Sequence, residues 1–380
     1  MTAHPLGKRY KGKKVLVTGG TGFIGCRLAE RLVLEEGAEV KVLVNRWFKA
    51  VSISRSNVQL LQGNVIDLNT VDAAVKGCDV VFHCVGVGGD RRYCREINVN
   101  GTRNLLQPCE KYGVERVVYL STVGVHGPCI EEGMNETSPF RMMGTPYGDS
   151  KIEAEEVCQQ FMQGNRVKIS IIRPTYVWGP NSPWFTLDPI QKMKRDRFFV
   201  VDGGNGACNA VHVDNVVDLS LLAGIDERAI GEAFLIRDGK QITWGDFFSY
   251  YAGMLGKDKS TFLSVPSIPS NVGKAVKRPV QFSFIGTSKL HNWIGSRFKG
   301  SKYKLVRAPF SIAAKATFTL TELINELVPE PYSWWDLTKF TSPGFIDISK
   351  ANKILGYRPR ILVAEGMRET EDWLRDQNHI

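Results

Sequence analysis

One stretch near the start of the chain restricts the possible folds more than any other. It is an apolar strand that runs into closely spaced glycines and then into a helix. KKVLVTGG (13–20) predicts a buried parallel strand, and FIGCRLAERLVLEEG (23–37) has the apolar spacing of a helix. The intervening glycines, Gly19, Gly22 and Gly25, let backbone approach a pyrophosphate, while the helix start offers free N–H groups to that anion. The stretch predicts a dinucleotide-binding domain.

Strands and helices then alternate at regular spacing, which is typical of a doubly wound parallel sheet. The predicted strands are 39–44, 58–65, 79–87, 116–125 and 168–174, and the predicted helices between them are 69–77, 95–112 and 145–163. After Pro174 the order loosens, with a strand and helix in 210–224, a strand in 232–239, a helix in 243–256 and a helical tail. We predict an α/β fold: a doubly wound parallel (Rossmann) sheet with a smaller mixed C-terminal substrate lobe.

The same pattern suggests domain boundaries. The dinucleotide-binding domain is predicted to take residues 1–174, with 209–240 returning to it, and the substrate lobe to take 175–208 and 241–380.

Hydrophobic residues make up 43% of the 380, enough for a sizeable core. No apolar run is long enough to span a membrane, and the start lacks a signal peptide's apolar core. The eight cysteines form no CxxC pair, so we expect no metal site and a reducing, cytoplasmic setting.

Positive charge is concentrated in one segment. The chain carries a formal net charge of +10, and residues 259–321 hold eleven Lys or Arg and no Asp or Glu. Such a segment can attract a phosphate-bearing substrate or an acidic membrane, or can be a solvated face. A peripheral membrane contact through 274–307 is one prediction. Nucleic acid is not expected, since no nucleic-acid-binding signature accompanies the charge.

The end of the second predicted strand should select the cofactor. Many NAD-binding proteins place an acidic residue there for the ribose hydroxyls, but this chain has Asn45 and Arg46. An arginine can pair with a 2′-phosphate, so NADP(H) is favoured over NAD(H). Asp67 follows the third strand, where its carboxylate could meet the adenine amino group. The predicted cofactor site also includes Phe23, Ile24 and Pro174.

The stretch YGDSK carries the candidate chemistry. Tyr147 and Lys151 are four residues apart in a predicted helix, which puts both side chains on one face. A nearby ammonium should lower the pKa of a phenol from its usual value of about 10 toward neutrality. The ordinary alternative is a surface pair without chemical function.

Taken together, several motifs resemble the extended short-chain dehydrogenase/reductase family, with features of its 3β-hydroxysteroid dehydrogenase/dihydroflavonol reductase branch. The motifs are TGGTGFIG, DVVFHC, INVNGT, YLSTVGVHG, YGDSK, RPTYVWGP, VHVDNV and DISKANKILGY. The resemblance implies that Tyr147 is the general acid/base, Lys151 its activator and Thr122 the hydroxyl partner, with Ser121 as the adjacent candidate. Asn98 would support a water-linked proton path, and a homodimer is expected.

The resemblance implies hydride transfer at a secondary alcohol or ketone carbon but leaves the substrate open. A nucleotide-linked sugar is the first hypothesis, a bulky steroid-like or flavonoid-like ring alcohol the second, and a non-enzymatic dinucleotide sensor the third. Thr122-Val123-Gly124 lacks the Asp-Glu pair of 4,6-dehydratases, so dehydration is not expected. Cys208 stands where nucleotide-sugar enzymes often carry an arginine. The candidate substrate residues are Trp178, Trp184, Phe185, Asn209, Arg278, Arg297 and Arg307.

Overall fold

A parallel sheet of seven strands forms the centre of the fold in a computed structural model, which describes residues 8–127, 131–265 and 340–380. Its strands are β1 (Lys14–Thr18), β2 (Glu39–Val44), β3 (Gln59–Gln62), β4 (Val80–His83), β5 (Arg116–Leu120), β6 (Ile169–Pro174) and β10 (Ala233–Ile236). Their order across the sheet is β3-β2-β1-β4-β5-β6-β10, and all neighbours are parallel. Since the order reverses direction at β1, the predicted doubly wound fold is confirmed.

Helices cover both faces of this sheet. The α-helices whose bounds lie within the described ranges are α1 (Phe23–Leu34), α2 (Leu68–Val75), α3 (Arg91–Cys94), α4 (Gly101–Lys111), α5 (Pro146–Met162), α6 (Asp188–Lys194), α7 (Val213–Ala223), α8 (Trp244–Met254), α9 (Ser349–Leu355) and α10 (Val363–Asp376). Alternate strand residues point to opposite faces, so Val15 and Val17 join one apolar core while Leu16 joins the other. The first core includes α1 and α7, and the second includes α2, α4 and α5.

Two small sheets complete the strands of the described ranges. β7 (Tyr176–Trp178) pairs with β9 (Ala210–His212), and β8 (Phe199–Val201) pairs with β11 (Leu263–Val265), both in parallel. The described residues divide into two compact units, with 8–127, 131–198, 207–262 and 342–380 in the first and 199–206, 263–265 and 340–341 in the second. The predicted domain boundary at residue 174 does not coincide with this division, because residues 175–198 pack in the same unit as the central sheet.

Helices α1 and α7 are joined by ion pairs. Arg27 donates two hydrogen bonds to the carboxylate of Asp214, at 2.6 and 3.0 Å, and Arg31 pairs with Asp218 at 2.7 Å. Paired guanidinium and carboxylate groups tolerate burial that a lone charge would not. Asp214 therefore holds α7, which follows β9, against the helix that starts at the glycine turn.

Several predicted elements end earlier than the sequence pattern suggests. β4 ends at His83, because glycines at positions 86, 88 and 89 follow it, and β5 ends at Leu120. The helix predicted from residue 95 begins at Arg91 and contains a π-helical turn, Arg95–Asn100, before α4.

Of the basic segment 259–321, only 259–265 lie within the described residues. No helix in the described ranges has both the length and the apolar composition needed to cross a bilayer.

Candidate active site

The glycine turn joins β1 to α1 and leaves no room for side chains. Gly19 has φ +73°, and a Cβ there would lie 2.8 Å from the carbonyl carbon of Cys84. A Cβ on Gly25 would collide with the carbonyl oxygen of Gly19 and lie 2.8 Å from its carbonyl carbon. Gly22 is the N-cap of α1 and supplies no side-chain cap, so the first N–H groups of the helix are available to an anion. The turn fits the pyrophosphate of a dinucleotide.

The other predicted cofactor residues lie around the carboxyl edge of the sheet. Phe23 and Ile24 are half-buried at the start of α1, and Pro174 is buried at the end of β6. Asn45 and Arg46 follow β2 and are exposed, and Arg46 forms no ion pair in the part of the chain that the structure describes. Asp67 is the N-cap of α2, where its side chain accepts a hydrogen bond from the Asn69 N–H at 3.0 Å. That bond occupies one carboxylate oxygen of the predicted adenine contact.

Helix α5 carries the predicted catalytic pair. Tyr147 is its second residue and is 38% exposed, whereas Lys151 is 1% exposed. The Lys151 ammonium donates to the carbonyl oxygen of Leu120 at 2.6 Å and lies 4.2 Å from the ring centroid of Tyr119. A Cβ on Gly86 would lie 3.8 Å from the Tyr147 hydroxyl oxygen, so the loop after β4 borders the phenol closely.

The pKa values of the pair move in directions that burial dictates. Burial raises the pKa of Tyr147 to about 12, although a hydrogen bond with the Thr122 side chain acts to lower it. Burial lowers the pKa of Lys151 to about 8. The pKa of Tyr147 therefore moves opposite to the predicted direction, because desolvation of the phenolate outweighs the other effects. At neutral pH the Tyr147 phenol is therefore protonated, and Lys151 titrates near physiological pH.

The two candidate hydroxyl groups after β5 have different surroundings. Thr122 is the N-cap of a short 3-10 helix, Val123–His126, and its side chain accepts from the Gly124 N–H at 3.1 Å. Ser121 is buried, and its hydroxyl donates to Glu155. Thr122 therefore remains the candidate hydroxyl partner of Tyr147, because the Ser121 hydroxyl is buried and already bonded to Glu155.

The acceptor of the Ser121 hydroxyl belongs to a buried ion pair that the sequence interpretation missed. Glu155 is fully buried on α5, and Arg173 at the end of β6 donates to it at 2.6 and 3.0 Å. The pair ties the helix that bears Tyr147 and Lys151 to the sheet. In the sequence, Glu155 stands one helical turn after Lys151, and this spacing indicates that both side chains lie on the same inward face of the helix.

Asn98 lies in the π-helical turn and is buried. Its side-chain amide donates to the Val87 carbonyl at 3.0 Å and to the Ser150 hydroxyl at 2.9 Å, and its oxygen accepts from the Val87 N–H at 2.9 Å. Ser150 in turn donates to the carbonyl of Tyr147. The side chain thus fixes the loop after β4 against α5, and its part in a proton path stays a prediction.

A second buried network, also missed, joins the end of β1 to the π-helical turn. His83 contacts the hydroxyl groups of Thr18 at 2.6 Å and Thr102 at 3.0 Å, and Thr102 donates to the Asn98 carbonyl at 2.6 Å. Burial lowers the pKa of His83 to about 3, so the ring is neutral. His83 thus connects the strand before the glycine turn with the turn that bears Asn98.

Two predicted substrate residues lie in the protein interior. Trp178 is fully buried and donates to Asp238 at 2.8 Å. Asn209 is also fully buried, donates to the Gly344 carbonyl and accepts from the Ile346 N–H at 2.9 Å. Both predictions are wrong, because these side chains meet the polar groups of the core. Trp184 is 75% exposed and Phe185 stacks on Trp244. Arg278, Arg297 and Arg307 lie outside the described residues.

A doubly wound sheet, a glycine turn and a Tyr–Lys pair on the helix after β5 together define the extended short-chain dehydrogenase/reductase class. The chain belongs to the 3-beta hydroxysteroid dehydrogenase/isomerase family, whose sequence pattern matches residues 16–266. The family resemblance seen in the sequence is thereby confirmed. Members of this class are NAD(P)-dependent oxidoreductases and epimerases.

Individual relatives are 24–29% identical to this chain in sequence, over most of their own length. A 2-alkyl-3-oxoalkanoate reductase from Shewanella oneidensis is 24% identical over 332 residues, covering 83% of this chain and 84% of the relative. Short-chain dehydrogenase/reductase family 42E member 1 from Danio rerio is 29% identical over 402 aligned positions, covering 97% and 90%. The solved structure of epimerase Mth375 from Methanothermobacter thermautotrophicus has a TM-score of 0.71 at 19% identity, covering 98% of this chain and 95% of that structure, which supports the fold.

Proposed function

We propose that this protein is an NADP(H)-dependent oxidoreductase that interconverts a ketone and a secondary alcohol on an apolar substrate. One observation supports the proposal above all others. The Tyr147 hydroxyl, whose pKa the Thr122 side chain acts to lower, lies on a partly exposed side chain one helical turn from a buried lysine. A carbonyl oxygen can accept hydrogen bonds from both the Tyr147 hydroxyl and the Thr122 hydroxyl, so this arrangement suits a ketone substrate.

In the reducing direction, Tyr147 donates its proton to the carbonyl oxygen and the Thr122 hydroxyl hydrogen-bonds to the same oxygen as charge develops there. The Lys151 ammonium, when charged, stabilises the phenolate that remains. The bound dinucleotide would supply the hydride to the carbonyl carbon, or accept it in the reverse direction. The glycine turn and Arg46 would hold that dinucleotide, and Lys151 is also placed to bind its nicotinamide ribose.

The pH profile should show the titration of Lys151. Its pKa of about 8 means that the ammonium is present below that pH and is lost above it. We expect kcat/KM for ketone reduction to be constant below about pH 7 and to fall through an apparent pKa near 8. Lys151→Met should remove this step and lower the plateau by about 10²-fold or more. A wild-type profile without any fall between about pH 6 and pH 10 would contradict the role.

Arg46 supports the preference for NADP(H). Its exposed guanidinium follows β2, and no carboxylate precedes it in the segment that begins at Lys41. We expect Arg46→Ala to weaken NADPH binding by about tenfold or more and to change NADH binding by less than about twofold. Arg55→Ala, an exposed arginine in the same segment, is the matched control. Separate fluorescence titrations of both cofactors measure the effect, and unchanged NADPH affinity in Arg46→Ala would refute the assignment.

Three observations favour an apolar substrate over a nucleotide-linked sugar. Cys208, which stands where many nucleotide-sugar enzymes carry an arginine, and Asn209 after it are buried and cannot hold a diphosphate. The relative from Shewanella oneidensis is named as a reductase of alkyl-bearing oxoalkanoates. The rings of Tyr176, Phe185 and Trp244 lie 5.4 to 6.0 Å apart and give the first unit an aromatic cluster next to exposed Trp184.

A thermal-shift experiment separates the two substrate classes. We expect NADPH to raise the melting temperature, and UDP, GDP and TDP to leave it unchanged, because a nucleotide-sugar enzyme gains much of its ligand affinity from the diphosphate. The matching activity assay follows NADPH oxidation with a 2-alkyl-3-oxoalkanoate or a cyclic ketone. Stabilisation by a nucleoside diphosphate at micromolar concentration, or turnover of a nucleotide sugar, would replace this proposal with the alternative.

Two further expectations belong to the proposal. The residues after Thr122, Val123 and Gly124, supply no acid or base for water elimination, so we propose that the protein does not catalyse 4,6-dehydration. A homodimer remains a proposal based on the family resemblance.

A further inference from the structure

The short 3-10 helix Trp47–Ser52, which follows β2, exposes large apolar side chains to solvent. Phe48 is 72% exposed, Val51 is 75% exposed and Trp47 is 55% exposed. Three such side chains within five residues form an exposed apolar patch, whereas single exposed apolar residues are ordinary. We name these three residues the Trp47 surface.

The Trp47 surface is held in its orientation by the opposite side of the same helix. Ala50 and Ile53 are buried in the apolar core beside α1. The Cys26 thiol of α1 donates to the Ser52 carbonyl at 3.4 Å. Because these contacts fix the helix on the core, Trp47, Phe48 and Val51 cannot turn inward without unpacking it. The structure therefore presents these three side chains to solvent.

The segment that bears the Trp47 surface is basic, and the first acidic residue after it is the exposed Asp67. From Lys41 to Ile66 the chain has four basic residues and no Asp or Glu. Three of them, Arg46, Lys49 and Arg55, are exposed. Aromatic side chains beside Lys and Arg are the composition that binds an anionic lipid interface, where rings enter the headgroup region and cations meet the lipid phosphates.

The neighbouring strand adds apolar residues at the same edge of the sheet. β2 and β3 are parallel, and the Gly63 N–H after β3 donates to the Val44 carbonyl at the end of β2. Ile66 and Leu68, which follow β3, are 39% and 50% exposed. The segments after both strands thus leave the sheet at one edge, and both expose apolar side chains there.

We propose that the Trp47 surface docks the protein peripherally on an anionic lipid bilayer, with Trp47, Phe48 and Val51 in the headgroup layer and Lys49 and Arg55 on its phosphates. This surface lies outside the basic segment 259–321 and directly follows Asn45 and Arg46 of the predicted cofactor site. A bilayer suits it better than a protein partner, because the patch is small and the segment from Lys41 to Ile66 that bears it has four basic residues and no acidic one.

Sedimentation with lipid vesicles tests the proposal on the full-length protein with saturating NADPH, so that the cofactor occupies Arg46. We expect co-sedimentation with vesicles that contain about 30 mol% phosphatidylserine, little with pure phosphatidylcholine, and release at high salt. Trp47→Ser/Phe48→Ser and, separately, Lys49→Glu/Arg55→Glu should each reduce binding by about tenfold or more. Leu34→Ser is the matched control, since Leu34 is 66% exposed beside Glu35 and should bind like wild type.

Other results would overturn the proposal. Binding that survives both double variants would assign the membrane contact to another segment. Loss of binding on addition of NADPH would show that the cofactor covers the surface. A change in oligomeric mass of the Trp47→Ser/Phe48→Ser variant by light scattering, without vesicle binding by wild type, would identify a second copy of the chain as the partner. NADPH oxidation in detergent-free buffer should be the same in all variants, which separates this proposal from the enzymatic one.

Discussion

Replacing Tyr147 by phenylalanine is expected to lower turnover by about 10²- to 10⁴-fold, because the variant loses the proton that the carbonyl oxygen must receive. The phenol is protonated at neutral pH, since burial raises its pKa to about 12. Phenylalanine keeps the ring and removes only the hydroxyl, so the free energy of unfolding should change by about 1 kcal/mol or less. The measurement is kcat for ketone reduction, together with the NADPH affinity of the same preparation.

The chain offers a closely matched control for this experiment. Tyr93 on α3 is 39% exposed, against 38% for Tyr147, and Tyr93→Phe should retain wild-type turnover. If Tyr147→Phe retained more than about a tenth of wild-type turnover with unchanged NADPH affinity, the proton would have to come from another group and the proposed chemistry would be wrong.

Gly25→Ala should have the largest effect on cofactor binding. Its new methyl group would collide with the carbonyl oxygen of Gly19, and the glycine turn is held on its other side by the backbone of Cys84 and Val85. The turn must shift, so we expect dinucleotide affinity to fall by about 100-fold or more, which is about 2.7 kcal/mol. Overpacking should also lower the free energy of unfolding by about 1–3 kcal/mol. Titration with NADPH and thermal unfolding measure the two effects.

Two further alanine variants separate binding from folding. Gly22 has an extended backbone at φ −91°, and its methyl group would lie 3.2 Å from the Gly19 carbonyl oxygen, so Gly22→Ala should fold. It should nonetheless bind NADPH about tenfold more weakly, because backbone must approach the pyrophosphate at this position. A methyl group added to Gly253 on α8 would meet no neighbouring atom within 4 Å, and Gly253→Ala should behave as wild type. Wild-type affinity in both Gly22→Ala and Gly25→Ala would show that the turn does not bind the dinucleotide.

Changing a residue of a buried ion pair near the site would lower the stability of the protein, and the variants proposed above avoid these pairs. Removing one partner of a buried ion pair such as Glu155–Arg173 leaves an uncompensated charge and generally costs about 3–5 kcal/mol of stability. Loss of activity after a change at Glu155 would therefore not identify a chemical role. Tyr147→Phe and Arg46→Ala are better tests, since each removes a group at a partly or fully exposed position.

The sequence alone was sufficient for the class of fold, the glycine turn and the family. These features depend on local patterns: buried parallel strands are continuous apolar runs, and the glycines stand at a fixed distance between β1 and α1. The Tyr147–Lys151 spacing likewise predicted a shared helix, and both residues lie on α5. Element ends were less predictable, because β5 stops where the Thr122 side chain caps the next 3-10 helix.

Only the tertiary structure decided which polar and aromatic side chains are buried. Trp178 and Asn209 looked like substrate contacts in sequence, but partners at Asp238 and at residues 344–346 draw them into the core. The direction of the Tyr147 pKa also required the fold, since desolvation depends on what surrounds the phenol. Burial and pairing arise between residues far apart in the chain, so local sequence determines the elements of this protein, while their packing determines which of its groups remain free for chemistry.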